Sequence, residues 1–366
     1  MGNDESLLSQ NAVQSSRQQG DEFFMPAEWE PHEGCVMSFC AAKGMFPEWQ
    51  ADEIRFEQAR IAHAIAEFEP VFMLANDEDG EEARQLCGPR VDVVKMQHYD
   101  MWTRDTLPTI CFDRSNRSTA ICWNFNVWGE KLEGYEADRD LACRFAAWRS
   151  LPTIKADIVA EGGAFDVDGE GTLLTTQSCL QNPNRNANLS TGEIEHALRR
   201  LTGARKVVWL PGAVAGITDG HVDGMARFVR SGVVVADISD DPLDPEYEGL
   251  LENAKALRVA TDCSGRALEV IFVKRPRWDL IDVRSDDFAA SYVNSYFANN
   301  AVVMPKYGDP IRDNEAREVF ARLMPDRKVV QVSVHEISEG GGGVHCVTQQ
   351  IPKSRVQSPG VAASAL

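Results

Sequence analysis

The sequence predicts an α/β fold, on three observations. Helical stretches alternate with short β-rich apolar runs. No linker rich in Pro, Gly and Ser interrupts residues 25–353. One plan, polar or glycine-rich residues leading into a strand, recurs along the chain. Helical stretches cover Trp49–Phe68, Tyr135–Leu151, Ser190–Leu201, Pro245–Arg258 and Asp313–Leu323. The third opens with Ser190 and Glu193, a capping-box pair whose side chains satisfy each other's free backbone donors. Strand runs fall at 71–74, 119–123, 172–176, 206–210, 232–238, 268–273, 301–305 and 328–334. The lead-in segments carry Asp105, Glu161, His221, Asn294 and Cys346 at steps of about 50 to 75 residues. Five such units closing around an axis would bring these landmarks to one place. A single catalytic domain over 25–352 is expected, with polar tails at 1–24 and 353–366 read as disordered.

Composition narrows the function. The chain has 366 residues, 43% of them hydrophobic and 25% charged, which is ordinary for a globular protein. A net charge of −19 without a basic cluster argues against nucleic-acid and anionic-membrane partners. It would concentrate small cations, although acidic surfaces also serve solubility alone. No apolar run approaches the roughly 18 residues of a membrane span, and the first residues lack a signal-peptide layout, so a cytoplasmic location is expected. The nine cysteines stand singly, with no CxxC and an odd count, which argues against a disulfide framework. Most should be small buried hydrophobes, leaving one or two for chemistry.

Four segments carry the chemistry. In the first, Gly340–Gly343 precedes Val344-His345-Cys346. The glycines allow unusual backbone angles and close approach of a ligand to the main chain, with Gly343 the expected contact. They deliver a cysteine to the mouth of an apolar strand, and a thiolate there is a competent nucleophile once a nearby cation stabilises it. A cationic substrate can supply that charge itself. In the second, Thr218-Asp219-Gly220-His221-Val222-Asp223, residues two apart on an extended segment share a face. His221 can then act as general acid and base while Asp223 grips a guanidinium. A metal site is the alternative reading of His-x-Asp, and none is expected. Third, Glu161-Gly162-Gly163 places a carboxylate at a tight turn, able to orient the histidine, whereas Asp166 and Asp168 read as turn residues. Fourth, Trp102 beside Asp105 matches a guanidinium, which stacks on aromatic faces and pairs with carboxylates; Arg104–Asp105 alone reads as a surface pair.

Together these segments resemble the agmatine deiminase family of the guanidino-modifying (pentein) superfamily. The resemblance rests on MPAEWEPHEGCVMSF, Trp102-x-Arg104-Asp105, the stretch 161–186, Thr218–Asp223, 294–309 and 341–350, in the family's order. It implies a five-bladed α/β propeller of ββαβ units. It further implies Cys346 as nucleophile, His221 as acid and base, Asp105 and Asp223 on the guanidinium, and Glu161 in support. No cofactor is implied, and a homodimer is compatible. Agmatine going to N-carbamoylputrescine and ammonia is the leading reaction; arginine or another guanidino compound is the nearest rival, and a non-catalytic guanidine sensor a third. The chain departs from the family's pattern before the histidine. Gly216 and Ile217 stand where acids suited to agmatine's free amine are usual, so that amine must be met by another acid or be poorly held.

Overall fold

The computed structural model describes residues 23–39, 45–213 and 216–355. The expected tails lie almost wholly outside the described residues, as does Cys40. The described chain is a mixed α/β fold of five small sheets. After a short β1 (Phe23–Phe24) come β2 (His32–Phe39), α1 (Glu48–Ile65), β3 (Val71–Ala75), α2 (Gly80–Cys87) and β4 (Val91–Lys95), with the three long strands parallel neighbours. Next, β5 (Thr109–Asp113) and β6 (Ser118–Cys122) pair antiparallel, and α3 (Leu141–Trp148) returns the chain to β7 (Thr153–Lys155), parallel to β6. The same path repeats through β8 (Phe165–Val167), β9 (Thr172–Thr176), α4 (Thr191–Thr202) and β10 (Lys206–Leu210). It repeats again through β11 (Ala226–Arg230), β12 (Val233–Ile238), α5 (Tyr247–Val259) and β13 (Glu269–Lys274). In the last sheet β14 (Ala301–Lys306) crosses by α6 (Pro310–Leu323) to a parallel β15 (Lys328–Ser333), and one bridge from Tyr296 to Val303 stands for the leading strand. Finally β16 (Gln349–Pro352) joins the first sheet, antiparallel to β2.

The local chemistry explains these elements. α1 buries Ile54, Gln58, Ile61 and Ile65, which lie on one helical stripe, and the Gln58 amide donates to the Ser38 carbonyl at 2.7 Å. α4 carries the expected capping box at Ser190 and Glu193 and stops at Gly203, whose φ of 74° suits a left-handed cap. The single helix expected over Tyr135–Leu151 is two, Glu136–Arg139 and then α3. Asp138 turns inward there, its carboxylate accepting from the Tyr99 and Asp100 amides at 2.7 and 3.0 Å, and the helix breaks behind it. α2, β4 and β7 were not expected. All three are short, and β4 and β7 are half-exposed, so each offers few residues on which a pattern can be read. Among the described residues no helix is long and apolar enough to cross a membrane.

This layout places the chemistry. Asp105 lies in the helical turn just before β5, Glu161 before the turn Gly162–Ala164 that opens β8, and His221 with Asp223 at the turn Val222–Gly224 before β11. Asn294 precedes β14 and Cys346 precedes β16. One position in each connection therefore faces one place.

Candidate active site

Cys346 is buried, 7% exposed, and its sulfur sits between two polar partners. The Asn294 Nδ2 donates to Sγ at 3.2 Å, and the thiol donates to Asp223 Oδ2 at 3.7 Å. The Asn294 side-chain oxygen accepts from the His345 amide at 2.9 Å and from the Cys346 amide at 3.4 Å, so one amide side chain fixes the backbone and touches the sulfur. The glycine run makes this possible. A Cβ on Gly343 would come within 2.6 Å of Asn294 Oδ1, and one on Gly342 within 2.3 Å of the Trp102 ring.

Three further side chains surround Gly163. A Cβ there would lie 2.6 Å from His221 Nδ1 and 3.0 Å from both Asp105 Oδ1 and Asp223 Oδ2. Only a bare backbone leaves room for these groups to converge. Asp105 accepts from the Trp128 indole at 3.0 Å and from the Gly163 amide at 3.1 Å. His221 Nε2 lies 3.3 Å from Glu161 Oε2, and its Nδ1 lies 3.6 Å from Asp105 Oδ1. Among the described residues that buried Nδ1 has no hydrogen-bond partner, an opening for a ligand. The segment is a 3₁₀ turn rather than the extended stretch expected, yet the two side chains still converge.

Charge in the site is biased toward binding a cation. Burial pushes the Cys346 thiol well up, and Asp223 and Asp105 push it further; the Gly343 amide and Asn294 only partly oppose them. Burial alone would lower the His221 imidazolium, but Asp105, Cys179 and Glu161 outweigh it and hold the ring protonated well above its usual range. Burial raises Asp105, with Asp223 and Glu161 adding to the shift against His221. Asp223 is held below its usual value despite burial, through the His345 ring 2.7 Å away. A thiol pushed up, an imidazole held protonated and two buried carboxyl groups together suit a planar cation. The pH behaviour follows. Ultraviolet absorbance of the thiolate, read as wild type minus Cys346→Ala, should appear only well above the ordinary cysteine range of about 8.5. Saturating guanidinium ion should bring it down. A thiolate already present at neutral pH in the free protein would contradict this.

A buried ionic scaffold holds the cradle. His345 Nε2 meets Glu28 at 2.8 Å, and Glu28 pairs with Arg104 at 3.2 Å and Arg227 at 3.0 Å. Behind His221, Arg185 holds Glu161 at 2.9 Å and Asp219 at 2.6 Å. Asp219 has a φ of 58°, a left-handed angle uncommon for a side-chain-bearing residue, and Gly220 follows at 86°. The Asp219 pairing holds that turn and so aims His221.

Residues 24–352 match the Porphyromonas-type peptidyl-arginine deiminase family. The chain belongs to that family. It is 38% identical over 334 residues to a Legionella pneumophila protein named "Putative agmatine deiminase", covering 91% of this chain and 95% of that one. Its fold matches the agmatine deiminase of Enterococcus faecalis with a TM-score of 0.86 at 30% identity, over 92% of this chain and 99% of the other. A C. jejuni agmatine deiminase with substrate bound matches at 0.82 and 25% identity, over 92% and 98%.

In this member of the family the structure brings together Cys346, His221, Glu161, Asp105 and Asp223. Around the cysteine, the cleft is lined by Gly341 and Gly342. Trp102 packs under Gly342, and Gly343 faces Asn294 and the sulfur. Arg104 is no surface residue; it is 3% exposed and bound to Glu28. Glu161 is fully buried under Arg185 rather than displayed at a turn. Asp166 does more than terminate a turn, accepting from the Phe228 amide at 2.7 Å and from Arg227. Asp168 is the turn residue expected, its Oδ1 taking the Glu170 and Thr172 amides. Sequence reasoning missed the roles of Glu28, His345, Cys179, Arg185 and Arg227. His345, beside Cys346, offered the one local signal.

Proposed function

We propose that this chain is a cysteine-dependent deiminase of small guanidino compounds, converting agmatine and water to N-carbamoylputrescine and ammonia. The observation that carries the reading is the ring of His221, Asp105 and Asp223 around Gly163 with Cys346 against Asp223. Asp105 and Asp223 grip the guanidinium in near-attack geometry. Its charge stabilises the thiolate that burial and the two carboxyl groups disfavour, and the thiol proton is released to bulk solvent as the cation binds. Sγ adds to the guanidinium carbon. The C–N bond breaks as His221, an imidazolium, protonates departing ammonia, leaving an S-alkylthiouronium on Cys346. Water enters where ammonia left, the neutral His221 takes its proton, and C–S cleavage releases the urea-type product. Agmatine is favoured as substrate by the names of the relatives. The five sheets are read as blades of a propeller over a single domain at 25–352, and a cytoplasmic homodimer agrees with the family reading.

The test is ammonia release from agmatine, arginine, arginine derivatives and simple guanidines. Agmatine should be turned over, and release from none of them would overturn the reading. Glu161, Cys179 and His221 form a metal-ligand-like trio, but Arg185 already neutralises Glu161 and would repel a cation. Dialysis against EDTA should therefore leave the rate unchanged, whereas thiol alkylation should stop it. Loss on chelation and recovery with zinc would make the trio a metal centre instead.

A further inference from the structure

At the mouth of the cleft that reaches Cys346 stand Asp286 and Asp287. A Cβ on Gly341 would lie 3.5 Å from the Asp287 carbonyl oxygen, 3.7 Å from the Asp287 Cβ and 3.6 Å from Ile217 Cγ2. Asp287 and Ile217 thus flank the glycine run that leads to the sulfur. Gly216 and Ile217 bring no charge to their side of the opening. Glu246 also lines the cleft but is spent on Arg275 at 2.5 Å, a guanidinium that Asp237 and Asp244 approach as well. Asp286 and Asp287 are exposed, and neither carboxylate has a side-chain partner among the described residues. Trp278 and Phe288 supply apolar wall beside them. At the inner end, His221 Nδ1 has no hydrogen bond among the described residues and lies 3.6 Å from Asp105 Oδ1, and a ligand's polar head enters beside that pair.

We infer that Asp286 and Asp287 hold the terminal ammonium of the substrate, doing from this loop what acids beside the histidine would otherwise do. The inference rests on the proposed deiminase reading and sharpens it to guanidines whose methylene tail ends in a cation. The tail runs along the Trp278 and Phe288 side while the guanidinium sits between Asp105 and Asp223. A tail ending in carboxylate meets two like charges and is rejected. Because the ammonium is remote from the reacting carbon, it is bound alike before and during reaction, and its contribution falls on KM.

The experiment compares kcat and KM on agmatine, n-butylguanidine and 4-guanidinobutyrate. It uses wild type, Asp287→Asn, the double variant Asp286→Asn/Asp287→Asn, and Asp287→Lys. The double variant should lower the agmatine-to-butylguanidine ratio of kcat/KM about tenfold, through KM, since each solvent-exposed pair is worth a few-fold. Added salt should erode the wild-type ratio and leave that of the double variant flat. Asp287→Lys should shift preference toward 4-guanidinobutyrate. Turnover of butylguanidine with an agmatine ratio within twofold of wild type in the double variant would overturn the inference alone. Absence of ammonia from every guanidine would overturn the function on which it rests.

Discussion

Cys346→Ala should abolish turnover while leaving substrate binding measurable, because the aspartate cradle survives the loss of the sulfur. The expected fall in kcat is at least about 10³-fold, as for other nucleophiles acting within a concerted set. Cys346→Ser should be nearly as inactive. Burial and two carboxylates already push the thiol well up, and a hydroxyl starts far higher. Retention of more than about a tenth of wild-type kcat in either variant, a barrier change under roughly 1.4 kcal/mol, would remove Cys346 from the role. Alkylation competition gives a second reading. Burial also raises the Cys35, Cys87 and Cys111 thiols, and a trapped substrate adduct should map to Cys346.

His221→Ala should cost about 10²- to 10⁴-fold in kcat, the usual range for a positioned acid and base. One ring serves both halves of the reaction, so the two losses can be separated by the leaving group. An isothiourea analogue expels a thiolate that needs no proton, and the first step should survive in the variant. The covalent thiouronium should then accumulate on Cys346, visible by mass spectrometry, because no base activates water. Rapid turnover of the analogue without accumulation would assign the second proton transfer to another group. Glu161 would be the first suspect, being 3.3 Å from the ring.

The landmarks Asp105, Glu161, His221, Asn294 and Cys346 were legible because each sits in a local signature that polar or glycine-rich residues make before a strand. The long elements were legible for the same local reason. α4 announces itself with Ser190, Glu193 and Gly203, and the strand runs at 172–176 and 206–210 stand at the positions expected. What escaped was non-local. Glu28 meets its partners Arg104 and His345 across 76 and 317 residues of sequence, and no spacing rule reaches that far. Trp102 packs under Gly342 across about 240 residues of sequence, a contact that its sequence neighbours did not announce.

The sequence by itself determined the α/β class, the family and the groups proposed to react, because these depend on residue types and short-range patterns. Only the tertiary structure decided which charges face one another. It buried Arg104 and Glu161 in ion pairs, put Asn294 on the sulfur, and left Asp286 and Asp287 at the cleft mouth without a side-chain partner among the described residues. Electrostatic roles are set by distance and burial, and chain folding fixes both.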